Sequence, residues 1–476
     1  MAETPWRLDP DRALPAEPSI RPIARRIYDA VATLPLISMH GHVPVENIRR
    51  NAPFGDPAEL FIIPDHYVRR MLVSQGYTNE ELGVASTAAG APIETDHRAI
   101  WRRFCENWHL FRGTPSRYWL EQELVEVFGV TSRPSATSAD AIYDQLTKTL
   151  ARPEYRIRPL FDRFHIEILS TTDSPASDLA DHAALRAEGW GERVVPTFRP
   201  DALFYPDRAG WPGRVDELSA AAGIDVTGYA SFLAALRQRR EAFAAAGARA
   251  SDHGHESADT TPLDDADAER IFTAGLRGTA DARMAAAFAA NMLYQSAKMS
   301  LDDGLVMQLH AGVLRDYSSA VYRALGPDQG FDIPARTEYT RALRPLLDDF
   351  GLDPRLRVIL FTVDETVFSR ELAPLAGVFP SVRLGVPWWF LDSPAGMSRF
   401  RAAITETAGF YNTSGFVDDT RAFASIPARH DLARRIDAGY LARLVAEGHL
   451  DLDEAVETAR DLHETLPKKA YEPRGR

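Results

Sequence analysis

The run LPLISMHGH at residues 34–42 decides the fold. It is apolar, too short for a buried helix, and ends abruptly in polar groups, which is how a strand buried on both faces reads. The same form recurs in IEILSTTD at 166–173, RVVPTFRPD at 193–201, LVMQLHAG at 305–312, RVILFTVDE at 357–365, VRLGVPWWFLD at 382–392 and GFVDDTR at 415–421. Between these runs, 57–75, 138–151, 337–351 and 428–448 have helical spacing, the third ending on Gly351 as an expected C-terminal cap. Strand then helix, repeated, with polar strand ends, points to an α/β fold of the (β/α)8 barrel kind. Two stretches, about 66–165 and about 202–300, exceed what one crossover needs and read as helical insertions around a single enlarged barrel domain, 1–476. The second holds GARASDHGHESADTTPLDDADAE, a turn-rich loop expected to be mobile.

Composition narrows the function classes. With 476 residues, 45% hydrophobic and 25% charged, the chain is long enough for a large core. Its 54 basic and 67 acidic residues give a net charge of -13, which repels nucleic acid and anionic lipid. The start lacks a basic segment followed by an apolar one, and no apolar run is long enough to span a bilayer, so a cytoplasmic protein is expected. An acidic barrel of this size is expected to be a homo-oligomer. The one cysteine, Cys105 in RRFCENWHL, sits on an amphipathic helix pattern and reads as core. A metal site would therefore draw on His, Asp and Glu.

His40 and His42 flank a glycine at the end of the first strand run. Residues two apart in a strand point the same way, so both imidazoles would project into the barrel mouth and could share a divalent cation. Alone, the pair also fits two hydrogen-bonded loop histidines. The last strand run offers a third ligand in Asp418-Asp419-Thr420-Arg421, because the closing strand of a barrel lies beside the first. Asp65-His66-Tyr67 with Arg70, then Arg199, Gln308, His310 and Trp388-Trp389, supply what a hydroxyl-rich carboxylate substrate needs: bidentate cations, proton carriers and aromatic faces. Blander readings exist: Arg199 can pair with Asp201, the tryptophans can be core, and Tyr67 can stabilise its helix. His253 and His255 also have metal-like spacing, but in the expected loop they read as a solvated turn.

Taken in order, these motifs resemble one family. H-x-H at 40–42, DHY at 65–67, TTD at 171–173, FRPD at 198–201, SDH at 251–253, Q-x-H at 308–310, LGPDQGFD at 325–332, WWF at 388–390 and DTRAF at 419–423 with Arg429-His430 are similar to uronate (glucuronate) isomerases of the amidohydrolase superfamily. The resemblance is collinear from about residue 30 onward. Ser38 where the family often has Asp, Pro64 before DHY, and Arg315 to Ser319 in place of an Asn run mark a divergent branch.

The resemblance implies a barrel that interconverts D-glucuronate with D-fructuronate and D-galacturonate with D-tagaturonate, with one divalent metal ion, zinc or manganese. It implies His40, His42 and Asp419 as ligands, with Asp419, Tyr67 and His66 in proton transfer. Arg199, Arg421, Arg70, His310 and Trp389 would bind the hexuronate. Aldose–ketose isomerisation through an enediol needs a base, an acid and cations over the developing oxyanion, which such a set can provide. Two alternatives stand beside it: a metal-dependent hydrolase on the same barrel, and a sugar-acid binding protein without turnover.

Overall fold

The computed structural model describes residues 5–87, 92–389 and 391–473. Seven short parallel strands form its centre: β1 (Leu36–Ser38), β2 (Ile166–Ser170), β3 (Val194–Val195), β4 (Ala250–His253), β5 (Val306–Ala311), β6 (Val358–Thr362) and β7 (Val382–Leu384). Every residue of β5 and of β6 is buried, as continuous apolar runs covered by helices should be. One sheet has the order β1-β2-β3 and the other runs β4-β5-β6-β7. Phe198 joins them, bridging in parallel to Asp173 and to Ser251.

An eighth stave lacks regular strand pairing but closes the ring. Thr413 bridges Leu384, and at the other edge Asp419 N donates to His40 O at 3.1 Å and His42 N to Thr420 O at 2.9 Å. The run at 415–421 is thus extended chain hydrogen-bonded to β1, and the run at 193–201 shrinks to β3 plus the Phe198 bridge.

Three sequence readings are corrected. The stretch 202–300 is divided by β4, whose four residues are all buried, so it is two successive strand-to-helix crossovers rather than one insertion around a loop. Residues 250–253, Ala-Ser-Asp-His, carry too little apolar character to register as a strand, because half of each barrel strand faces a polar interior. The segment 57–75 breaks at Pro64 into Pro57–Phe61 and α1 (His66–Val73). Gly351 follows the helix Arg344–Phe350 at φ -63°, not in the left-handed region; its glycine is required because a Cβ would meet the Phe379 ring at 2.7 Å.

Longer helices enclose the ring. They include α2 (Tyr229–Ala245), α3 (Ala282–Asp303) and α4 (Ile426–Ala446). The closed lower end is filled by Tyr471, whose hydroxyl accepts from Gln308 Nε2 at 2.9 Å, placing a polar contact below His40. No helix among the described residues is long and apolar enough to cross a membrane.

Candidate active site

The carboxyl ends of the strands open into a cavity of about 420 Å³, within the range of small-molecule sites. His40 and His42 enter it from the end of β1 and Asp419 from the eighth stave. His40 Nε2 lies 3.2 Å and His42 Nε2 2.9 Å from the same Asp419 oxygen. Gln308 Oε1 lies 2.8 Å from His40 Nδ1, which orients the ring with Nε2 facing Asp419. Asp419 sits at φ +43°, a left-handed conformation that a non-glycine residue adopts at a cost. Burial would raise the Asp419 carboxyl, but His40 and His42 overcome it and hold it well below its usual range. For His40, burial acts downward, yet Asp252 and Asp419 push its titration up to about 9.

Beside this group stands a second acid–imidazole pair. Asp252 Oδ1 holds His310 Nδ1 at 2.8 Å, while His310 Nε2 is buried without a hydrogen-bond partner. The His310 ring packs against both His40 at 4.4 Å and Phe361 at 4.2 Å, centroid to centroid. Three imidazoles and two carboxylates, with one orphaned ring nitrogen among them, form a largely buried cluster that fits a divalent cation of hard or borderline character.

Arg199 faces this cluster, 3.3 Å from Asp252 and donating to Asp201. The anticipated pairing with Asp201 is therefore real, and Arg199 still lines the cavity. Asp65 caps α1 by accepting from Tyr67 N at 2.8 Å, and this cap turns His66 and Tyr67 of the first helical turn into the cavity. Burial pushes the Tyr67 hydroxyl well above its usual range, with Asp392 adding to it, so it remains a proton donor. Burial and then Arg421 lower His66 to about 4, leaving it neutral. Trp389, at φ +34°, lies parallel to the His66 ring at 6.5 Å. Arg421 reaches the rim and pairs with Asp328.

One expected contact moves. Arg70 is not on the cavity wall; it lies one turn along α1, where Tyr67, Asp392 and Asp65 are its electrostatic neighbours. Behind Tyr67, Arg429 stacks on Trp119 at 3.5 Å and donates to Asp392 at 3.0 Å. Phe390 of the WWF motif lies outside the described residues. Asp252 is the principal residue that reading by role missed; its signal was present in the SDH motif, but the strand carrying it was not recognised. His253 and His255, read as a solvated turn, are buried.

Fold and site together define a (β/α)8-barrel enzyme whose cavity lies at the carboxyl ends of the strands. A Lactobacillus casei protein assigned to the metal-dependent hydrolases shares the fold, with a TM-score of 0.55 at 16% identity over 94% of this chain and 97% of that one. Within that class the chain belongs to the glucuronate isomerase family, whose model matches residues 20–465. It is 54% identical over 464 residues to a uronate isomerase of Rhizobium meliloti strain 1021, covering 98% of this chain and 99% of that one. Its structure is similar to that of a glucuronate isomerase from Caulobacter crescentus, with a TM-score of 0.96 at 50% identity, covering 99% and 98% of the two chains.

Proposed function

We propose that the protein interconverts a hexuronic aldose and its ketose, D-glucuronate with D-fructuronate and D-galacturonate with D-tagaturonate. The observation that carries the reading is the Asp419 oxygen held between His40 and His42, with Arg199 facing the same cavity in a member of this family. Arg199 and Arg421 hold the anionic oxygens of the sugar acid, and Trp389 lies against its C–H face. His310 presents Nε2 to a substrate oxygen. Asp419 takes the C2 proton, exchanges it with solvent and delivers one to C1; Tyr67 gives its proton to O1 and recovers one from O2, so the enediol forms and collapses with all protons accounted for. His66, neutral and buried, orders the hydroxyls nearby.

His40, His42 and Asp419 would hold one divalent ion, zinc on the preference of an N,N,O donor set, with manganese as the other candidate. When bound it supplies positive charge over the oxygens that become anionic. A hydrolase reading finds no support: no lysine lines the cavity among the described residues. The same proposal includes a cytoplasmic enzyme acting as a homo-oligomer, supported by the acidic composition and chain size.

Proton NMR in D2O with each uronate tests the function. Ketouronate carrying deuterium at C1 is expected. Absence of product from both sugars would overturn the proposal, and product without deuterium would replace the enediol by a hydride shift.

A further inference from the structure

Residues 253–255 repeat the His-Gly-His of 40–42, at the end of β4 instead of β1. His253 is fully buried and His255 is 2% exposed. Each imidazole has one nitrogen held by a hydroxyl: His253 Nε2 meets Ser251 Oγ at 3.0 Å and His255 Nδ1 meets Tyr205 Oη at 2.8 Å. Their other nitrogens, His253 Nδ1 and His255 Nε2, have no hydrogen-bond partner. Asp201 divides its oxygens in the same way. Its Oδ2 accepts from Arg199 Nε and Gly254 N, both at 2.9 Å, while Oδ1 is buried without a partner. His255 Nε2 stands 3.7 Å from that Oδ1. One ligand atom from each of the three side chains lies within 4.8 Å of the other two.

Native proteins rarely leave one buried polar atom unpaired, and three in one cluster call for an occupant. Its nature follows from proton placement. In the tautomers where His253 Nε2–H donates to Ser251 and His255 Nδ1–H donates to Tyr205, the pair that a bound cation requires, the three unpaired atoms all present lone pairs. A water has two hydrogens and cannot satisfy three acceptors; a cation can. A hydroxyl behind each imidazole is also the outer support that metal-bound histidines commonly have.

We propose that Asp201, His253 and His255 form a second divalent-cation site, separate from the His40–His42–Asp419 cluster, and that its N,N,O donor set takes Zn²⁺. The proposal goes beyond the isomerase function and does not depend on it. An ion on Oδ1 keeps Oδ2 turned toward Arg199, so the site positions that guanidinium at the cavity wall.

The test is Zn²⁺ stoichiometry. Full-length protein is stripped with chelator, reloaded with Zn²⁺, desalted and assayed for metal per chain by mass spectrometry, together with Asp201→Asn, His253→Ala and His42→Asn. Two equivalents are expected in the unmodified protein, falling to one in each variant. A single equivalent that His42→Asn removes and Asp201→Asn retains overturns the second site while leaving the first intact. A single equivalent that His42→Asn retains and Asp201→Asn removes upholds the second site and overturns the first. If His253→Ala does not fold, anomalous scattering at the zinc edge from crystals of the unmodified, Zn²⁺-loaded protein decides the matter. A peak among the three side chains upholds the proposal, and its absence overturns it.

Discussion

Arg199 Nε donates to Asp201 Oδ2 at 2.9 Å, and this contact aims the guanidinium at the cavity without consuming all of its donors. Charge-assisted hydrogen bonds contribute about 2 kcal/mol, so Arg199→Ala is expected to raise KM on the order of 30-fold, with a smaller change in kcat. Steady-state kinetics on glucuronate check it; an unchanged KM with reduced kcat would remove Arg199 from substrate capture.

Asp419→Asn keeps the shape and removes the charge shared by two imidazoles. Loss of a general base costs roughly 10²–10⁴ in rate, so kcat should fall by that order while KM changes little, and the bound metal should fall as well. Full metal content with normal kcat would contradict both roles given to Asp419.

How far the site is legible in sequence depends on where its residues sit. His40 and His42 are legible because period-two spacing at a strand end fixes their common direction, and Asp419 because barrel closure returns the last stave to the first. Asp252 and the His253–His255 pair are not, because β4 is four residues of mostly polar character and hydrophobic patterning cannot detect it. Arg70 misleads for a geometric reason: it lies three residues beyond Tyr67 on a helix, yet only the capped first turn of α1 faces the cavity.

Gly385 follows β7 at a point where a Cβ would overlap the Phe361 ring, which in turn stacks on His310 at 4.2 Å. Gly385→Ala must displace that ring and should destabilise the fold by about 1–3 kcal/mol. Activity should fall on the order of tenfold as His310 loses its support. Urea unfolding and kinetics on one preparation check it, and an unchanged midpoint would refute the packing argument.

Asp437 is buried and accepts from Arg401 at 2.6 and 2.8 Å, with His463 at 3.2 Å. Burial would raise its carboxyl, but Arg401 and His463 hold it well below the usual value of 3.8; burial lowers His463 from 6.5 despite Asp437. Both folded values lie below the unfolded ones, so both groups stabilise the fold above those values and lose that contribution as pH falls, from 6.5 for His463 and from 3.8 for Asp437. Asp437→Asn should cost about 3–5 kcal/mol near neutrality by leaving Arg401 unpaired, and the deficit should narrow below about pH 4. Thermal unfolding from pH 7 to pH 3 measures it; a deficit constant with pH would contradict the assignment.

The hydrogen bonds from Asp419 N to His40 O and from His42 N to Thr420 O have a consequence for how the protein is made. His40 and His42 leave the ribosome well before Asp419, so a translation product that stops short of residue 419 cannot complete the proposed centre. On the proposed roles, the nascent chain stays inert until its eighth stave has emerged and closed the ring onto β1.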